Sequence, residues 1–272
     1  MKRTSNALKL TETAVMIALA SILSLIAVIK MPFGGSVSAF SMLPIAIIAF
    51  RHKTLWGLLA GFAHSLIQLM MGMENLSYAT SGAAAAAIIM LDYVIAFTVL
   101  GLSGIFRGKF RSDGTAMALG TLLACVVRYI CHVISGCTVW AGVSIPTGDG
   151  LIFSLGYNAA YMIPETLLTV IAAYFAAEVF TLRSPEIKRL RLKTRSAVRL
   201  YTAIPLSAAV LVVFLMLFGM MQTEEGYDIT AMGNAGVTEW IIIAVVSAVG
   251  IIAALVINRV FSKKLSPVLK EA

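Results

Sequence analysis

The sequence predicts an all-α integral membrane protein of eight transmembrane helices, six in a first part and two after a basic connection, with the N- and C-termini cytoplasmic. Four observations predict it. Of the 272 residues, 60% are hydrophobic and 12% charged, with mean hydropathy +0.93, whereas a soluble domain carries about 25% charged residues. The apolar runs are roughly 18–25 residues long, enough to cross about 30 Å of hydrocarbon at about 1.5 Å per residue. The alternating segments of about ten residues that mark a membrane β-barrel are absent. Finally, lysines and arginines collect in short segments that alternate with segments lacking them, which is the positive-inside pattern. The net charge of +8 is therefore read as a topology signal that also suits anionic lipid head groups. No aromatic–basic platform accompanies it, so no nucleic-acid partner is expected.

The first span is expected from Ala14 to Ile29, capped by Thr11 or Thr13 with Glu12 in its first turn, where a carboxylate complements the helix dipole. The run is too long for a signal-peptide core. Ala14 and Ala18 form a small-xxx-small step that permits close helix approach. The segment from Lys30 to Ser38 holds Pro32, Gly34 and Gly35, which forbid a continued helix and make it an outer loop. A short second helix, Phe40–Phe50, is interrupted by Pro44 and ends at the basic Arg51-His52-Lys53. A third runs from Leu55 to Met71, with His64 read as a packing group. Glu74 to Gly82 is an acidic outer loop. The fourth helix opens on Ala83–Ala87 and continues through Asp92-Tyr93 to Phe106, before the basic Arg107, Lys109 and Arg111.

The fifth helix, Ala116–Ser135, carries Arg128 and His132 four residues apart, on one face. An outer loop with Trp140 leads to the sixth, Leu151–Phe180, where Asn158, Tyr161 and Glu165 sit near one face and Pro164 predicts a kink. Arg183 to Arg199 forms the largest cytoplasmic connection, and spans at Tyr201–Met221 and Glu239–Val260 follow. The domain organisation read from this is 1–182, a basic linker at 183–200, and a two-helix extension at 201–272.

Polar and ionisable groups within membrane helices are costly and usually face the bundle interior or a wet cavity. Asp92, Arg128, His132, Asn158 and Glu165 are such groups. They either satisfy one another, for example Asp92 with Arg128, or line a pocket for a small ligand open to the outside. A carboxylate with the aromatic faces of Tyr93, Trp140 and Phe33 suits a planar cation. Metal binding is not expected. Cys125, Cys131 and Cys137 lie in or beside one apolar segment with no CxxC or His-x-x-x-His pattern, and small apolar thiols are the simpler reading. Catalysis has no support from HExxH, GxSxG or a phosphate-cradling loop. Gly104 to Lys109 imitates the last but is too short, so energy for transport must come from a partner or an ion.

Met31-Pro-Phe-Gly-Gly-Ser-Val-Ser, Trp56-Gly-Leu-Leu-Ala-Gly, Leu91-Asp-Tyr-Val-Ile-Ala-Phe, Arg128-Tyr-x-x-His-x-Ile-Ser-Gly and Tyr157-Asn-x-x-Tyr-Met-x-Pro together resemble the ThiT/YuaJ thiamine transporters. These are the thiamine-specific substrate-binding (S) components of energy-coupling factor (ECF) importers. The resemblance covers residues 1–182 and omits the two C-terminal helices. It implies a six-helix S component in the bacterial plasma membrane, not an enzyme, using no cofactor of its own. It further implies association with a transmembrane coupling protein and two cytoplasmic ATPase subunits. Carried over by motif, Asp92 faces the thiazolium where some relatives have glutamate, and Tyr93 follows it. His132 and Trp140 match an aromatic clamp on the aminopyrimidine, and Asn158 matches a polar ligand contact. Phe153 stands where relatives carry a tyrosine, with loss of one hydroxyl contact, and Phe33 lies near a tryptophan position of some members. Ala14 and Ala18 match the step that contacts the coupling protein, and Arg128 is assigned a structural role. Glu165 matches no family feature, and could be a second carboxylate or a partner of Arg128. Two other readings stay open: a solitary secondary transporter with Glu165 carrying a proton, and a membrane enzyme with His132 as acid/base.

Overall fold

A computed structural model describes residues 5–31, 35–38, 40–140, 150–191, 194–223 and 226–265. Contacts divide the chain into two compact units, residues 1–189 and 190–272.

The first unit opens with α1 (Asn6–Leu25), whose N-cap is Ser5, its hydroxyl accepting from the Leu8 amide at 3.2 Å. The helix thus starts two turns before the expected Thr11 or Thr13. Those threonines instead bond back to the carbonyls of Ala7 and Lys9. It also stops before Ile29, because Ala27–Lys30 (β1) pairs antiparallel with Ser36–Ser38 (β2), Ile29 facing Val37 and Lys30 facing Ser36. The hairpin gives backbone groups at the membrane edge the partners that a continued helix would have supplied.

The second helix, α2 (Leu43–His52), is ten residues long and so about 15 Å, too short to cross a bilayer alone. Pro44 lies in its first turn and does not interrupt it; a proline there lacks only an amide that needs no intrahelical acceptor. α3 (Thr54–Met71) is followed by a 3₁₀ turn, Met73–Tyr78. The fourth span, α4 (Gly82–Gly104), is not a uniform helix. It begins as α (Gly82–Ile88), widens to π (Ile89–Ile95), and tightens to 3₁₀ (Val99–Gly104). α5 (Asp113–Thr138) is capped by Ser112, and α6 (Gly150–Val179) runs through Pro164. Among the described residues seven helices are long and apolar enough to cross a membrane. They coincide with the expected spans except the second.

Glycines let the helices touch. A side chain at Gly61 would lie 2.8 Å from the carbonyls of Phe97 and Thr98, and one at Gly101 would collide with the Leu58 backbone. This close approach replaces the hydrophobic driving force that is missing between helices in lipid. At the basic end, Arg51 is buried and makes two bonds to Glu12 (2.6 and 2.7 Å) and three to the carbonyls of Leu182, Ser184 and Pro185. Glu12 is therefore not in a first helical turn; it joins α1 to the end of α2 and to the segment after α6. His52 Nε2 reaches the same carboxylate at 2.7 Å.

The second unit consists of α7 (Thr194–Met220), two-residue strands Gln222–Thr223 (β3) and Gly226–Tyr227 (β4), a 3₁₀ turn at Ile229–Asn234, and α8 (Val237–Leu265). Its two helices pack where Gly250 meets Ala209, and Tyr201 stacks on Phe261 with centroids 5.0 Å apart. Most of α8 presents exposed Ile and Val, as a lipid-facing helix does.

Gly101→Ala is expected to destabilise the protein by about 1–3 kcal/mol, the cost of overpacking against backbone. Gly82, with nothing within 4 Å of an added Cβ, should accept alanine within about 0.5 kcal/mol. Denaturation midpoints of the two variants in the same detergent check the pair.

Candidate ligand-binding site

A cavity of about 610 Å³ opens in the first unit, between the β1–β2 hairpin, α3 and its 3₁₀ turn, the π segment of α4, α5 and α6. Its size is in the range of small-molecule sites. Five of the seven residues assigned to substrate binding line it: Asp92, Tyr93, His132, Trp140 and Asn158. Phe153 is buried but does not border the cavity. Phe33 lies outside the described residues. Ala14 and Ala18 are exposed on α1, away from the cavity.

The π segment accounts for two of these placements. Its wider turn carries Asp92 and Tyr93 at adjacent positions on the cavity wall, a use of such bulges that recurs at functional sites. Asp92 takes three contacts from α5 and its end: His132 Nδ1 lies 3.0 Å from Oδ1, while Ser135 Oγ (2.6 Å) and Trp140 Nε1 (3.1 Å) donate to Oδ2. In the first contact the imidazole carries its proton on Nδ1, since a carboxylate only accepts. His132 Nε2, buried, has no hydrogen-bond partner among the described residues.

Tyr93 does something other than present a ring. Its hydroxyl donates to the Gly72 carbonyl at 2.9 Å and accepts from Asn75 Nδ2 at 2.8 Å, pinning the turn after α3. Gly72 permits this, because a side chain there would meet the Tyr93 hydroxyl. The pinned turn carries Tyr78, whose ring lies 5.6 Å from that of Trp140 at 50°. Both rings border the cavity.

Asn158 is fully engaged within the protein. Its Nδ2 reaches Ser154 O (2.9 Å) and Oγ (3.1 Å) and His132 O (3.3 Å), and its Oδ1 accepts from Tyr161 at 2.7 Å. Tyr161 in turn meets the edges of His132 and Tyr157. The Asp92–Arg128 pairing offered by the sequence does not form. Arg128 instead faces Glu165, with Nη1 3.6 Å from Oε2, and its guanidinium lies over Phe97 at 4.4 Å. His64 is buried, edge-on to Phe97 and 3.4 Å from Ser21 Oγ.

Sequence reasoning missed Ser135, Asn75, Ser38 at the end of the hairpin and Ser41, which lies between the hairpin and α2. Ser135 was within reach, since it follows His132 by three residues on the same helical face. Asn75, Ser38 and Ser41 lie outside regular periodicity, and no sequence signal pointed to them.

Fold and cavity define a multi-pass helical membrane protein with an internal polar pocket for a small ligand. A family model described as thiamine transporter protein (Thia_YuaJ) matches residues 10–182, and the chain belongs to that family. It is 35% identical over 183 residues to thiamine transporter ThiT of Bacillus subtilis (strain 168), covering 63% of this chain and 91% of the relative. It is 28% identical over 189 residues to ThiT of Lacticaseibacillus paracasei, covering 63% and 87%. A solved structure of ThiT from Listeria monocytogenes superimposes with TM-score 0.51 at 24% identity, over 63% of this chain and 93% of that one, and so shares its fold. With this membership, the chain is a multi-pass protein of the bacterial cell membrane. The family match ends at Leu182, before the second unit begins.

Tyr93→Phe is expected to loosen the turn at residues 72–78 by about 1–3 kcal/mol, the net worth of the two hydrogen bonds its hydroxyl makes. Hydrogen exchange of the amides in that turn should rise several-fold, while exchange in α5 stays as it was.

Proposed function

We propose that the protein binds extracellular thiamine with high affinity and imports it as the substrate-specific S component of an ECF-type transporter. The observation that carries this is the charge pattern of the cavity. Arg128 and Glu165 offset each other, which leaves two carboxylates to a cation: Asp92, beside the rings of Trp140 and Tyr78, and Glu74 on the turn after α3. Thiamine is a monocation with two flat rings. A carboxylate and aromatic faces suit it, at roughly 0.5–3 kcal/mol per contact. Aspartate places its charge about 1.5 Å further back than glutamate would, one C–C bond. In the same reading Tyr93, His132, Trp140 and Asn158 form the ligand wall and Phe33 joins them from the outer loop, while Phe153, buried in α6, does not border the cavity.

The remaining assignments follow from that reading. Residues 1–182 are the binding domain, 183–200 a basic cytoplasmic linker, and 201–272 a two-helix extension. The eight spans, counting α2, place both termini in the cytoplasm. The exposed step at Ala14 and Ala18 meets the transmembrane coupling protein, and two ATPase subunits supply the energy. The protein carries out no chemistry on the vitamin. One feature favours a second reading, a solitary proton-coupled transporter of thiamine or a related pyrimidine: the carboxylate of Glu165 is buried beside the cavity.

Thiamine is expected to quench Trp140 fluorescence saturably in the purified protein. Asp92→Asn should weaken binding by on the order of 30-fold or more, as truncating a buried charge pair does. Unchanged affinity removes Asp92 from the site. Replacing Ala14 and Ala18 by tryptophan should lower uptake in vesicles containing the coupling protein and ATPases, with thiamine binding intact. Uptake by this chain alone, driven by a proton gradient, selects the second reading.

A further inference from the structure

Glu165 is 1% exposed. Its Oε1 accepts from Ser38 Oγ and from Ser41 Oγ, the latter at 3.0 Å. Its Oε2 has no hydrogen-bond partner among the described residues, and stands 3.6 Å from Arg128 Nη1, outside hydrogen-bonding distance. Arg128 is 7% exposed, and its Nε and Nη1 also lack hydrogen-bond partners among the described residues. Both side chains border the cavity, and each is held by neighbours: the guanidinium over Phe97, the carboxylate by two serines. A buried ion pair stabilises only when good hydrogen bonds satisfy its remaining donors and acceptors. Here donors and an acceptor are left over, buried side by side, in two residues that border the cavity.

We propose that Glu165 and Arg128 form a second polar subsite, which takes a neutral ligand group that accepts a hydrogen bond from Arg128 and donates one to Glu165. The two charges offset each other, so the subsite favours a dipole over a further ion and complements the cation site at Asp92. The inference rests on the thiamine reading above and assigns Glu165 a role in specificity. Thiamine carries two groups of the required chemistry: its primary alcohol, and the edge of the aminopyrimidine where an amino group adjoins a ring nitrogen. A site that hydrogen-bonds such a group rejects analogues lacking it far more strongly than an apolar pocket rejects a missing methylene.

The test uses the full chain in detergent, titrated with thiamine, with its 4-oxo analogue and with an analogue bearing ethyl in place of hydroxyethyl. One analogue is expected to bind the unaltered protein at least about tenfold more weakly than thiamine, the loss associated with a hydrogen bond to a charged group. In Glu165→Gln, which retains shape and an acceptor for the serines, that same penalty should shrink to about threefold or less, as coupled partners do in a double-mutant cycle. The analogue whose penalty shrinks identifies the group. Penalties carried unchanged into Glu165→Gln overturn the subsite. Ser41→Ala removes one of the two serine bonds to Oε1 and leaves Oε2 and Arg128 in place, and should keep the penalties of the unaltered protein; a shrinkage equal to that of Glu165→Gln assigns the effect to the Oε1 contacts and overturns the subsite. Should Glu165→Gln fail to fold, Arg128→Lys keeps the charge but removes Nε, and the same shrinkage is required of it. Absence of thiamine binding by the unaltered chain instead overturns the thiamine reading, and the subsite falls with it.

Discussion

A carboxylate inside a membrane protein has to be satisfied by the protein itself or by what the protein binds. Asp92 is the place where this constraint organises the first unit. Its three partners, His132, Ser135 and Trp140, all come from α5 and its end, so one acidic residue fixes the position of α4 against α5. The widened turn at Ile89–Ile95 brings Asp92 and Tyr93 to the wall together. Tyr93 then extends the arrangement to the turn after α3, which carries Tyr78 back towards Trp140. Carboxylate, clamp and turn are one connected network, and networks of this kind specify a single arrangement when every member is satisfied.

The same constraint explains why the cavity has two electrostatic ends. Had Arg128 paired with Asp92, the carboxylate on this part of the wall would have been neutralised from within. Glu165 instead lies opposite Arg128, with Ser38 and Ser41 on its other oxygen, and leaves Asp92 with neutral donors and a histidine. A further tie of this type, Arg51 with Glu12, lies at the basic end of the same bundle. There five bonds satisfy the guanidinium, in contrast to Arg128 beside the cavity. A saturated arginine holds helices together; Arg128, bordering the cavity, keeps donors unpaired among the described residues.

The second unit follows a different logic. α7 and α8 form a hairpin packed at Gly250 and Ala209, with apolar residues outward and few polar groups within the spans. The family match ends at Leu182, before this unit begins.

The sequence by itself determined the class, the spans and most of the wall of the site. Composition and charge alternation reflect the bilayer, whose thickness and polarity act on every helix alike. For that reason seven of the expected spans could be placed to within a few residues, apart from the start and end of α1. Spacing of four residues placed Arg128 and His132 on one face, the cost of polar groups in lipid singled out Asp92 and Asn158, and Tyr93 and Trp140 were read as aromatic faces, before motif resemblance gave these residues roles. Only the tertiary structure decided which charges pair. Asp92, Arg128 and Glu165 come from three different helices, and periodicity within a helix carries no information on rotation between helices. It also decided that residues 27–38 form a hairpin, that α4 widens around Asp92, and that the Tyr93 hydroxyl serves a turn. Each depends on where backbone groups distant in sequence find hydrogen-bond partners once water is excluded.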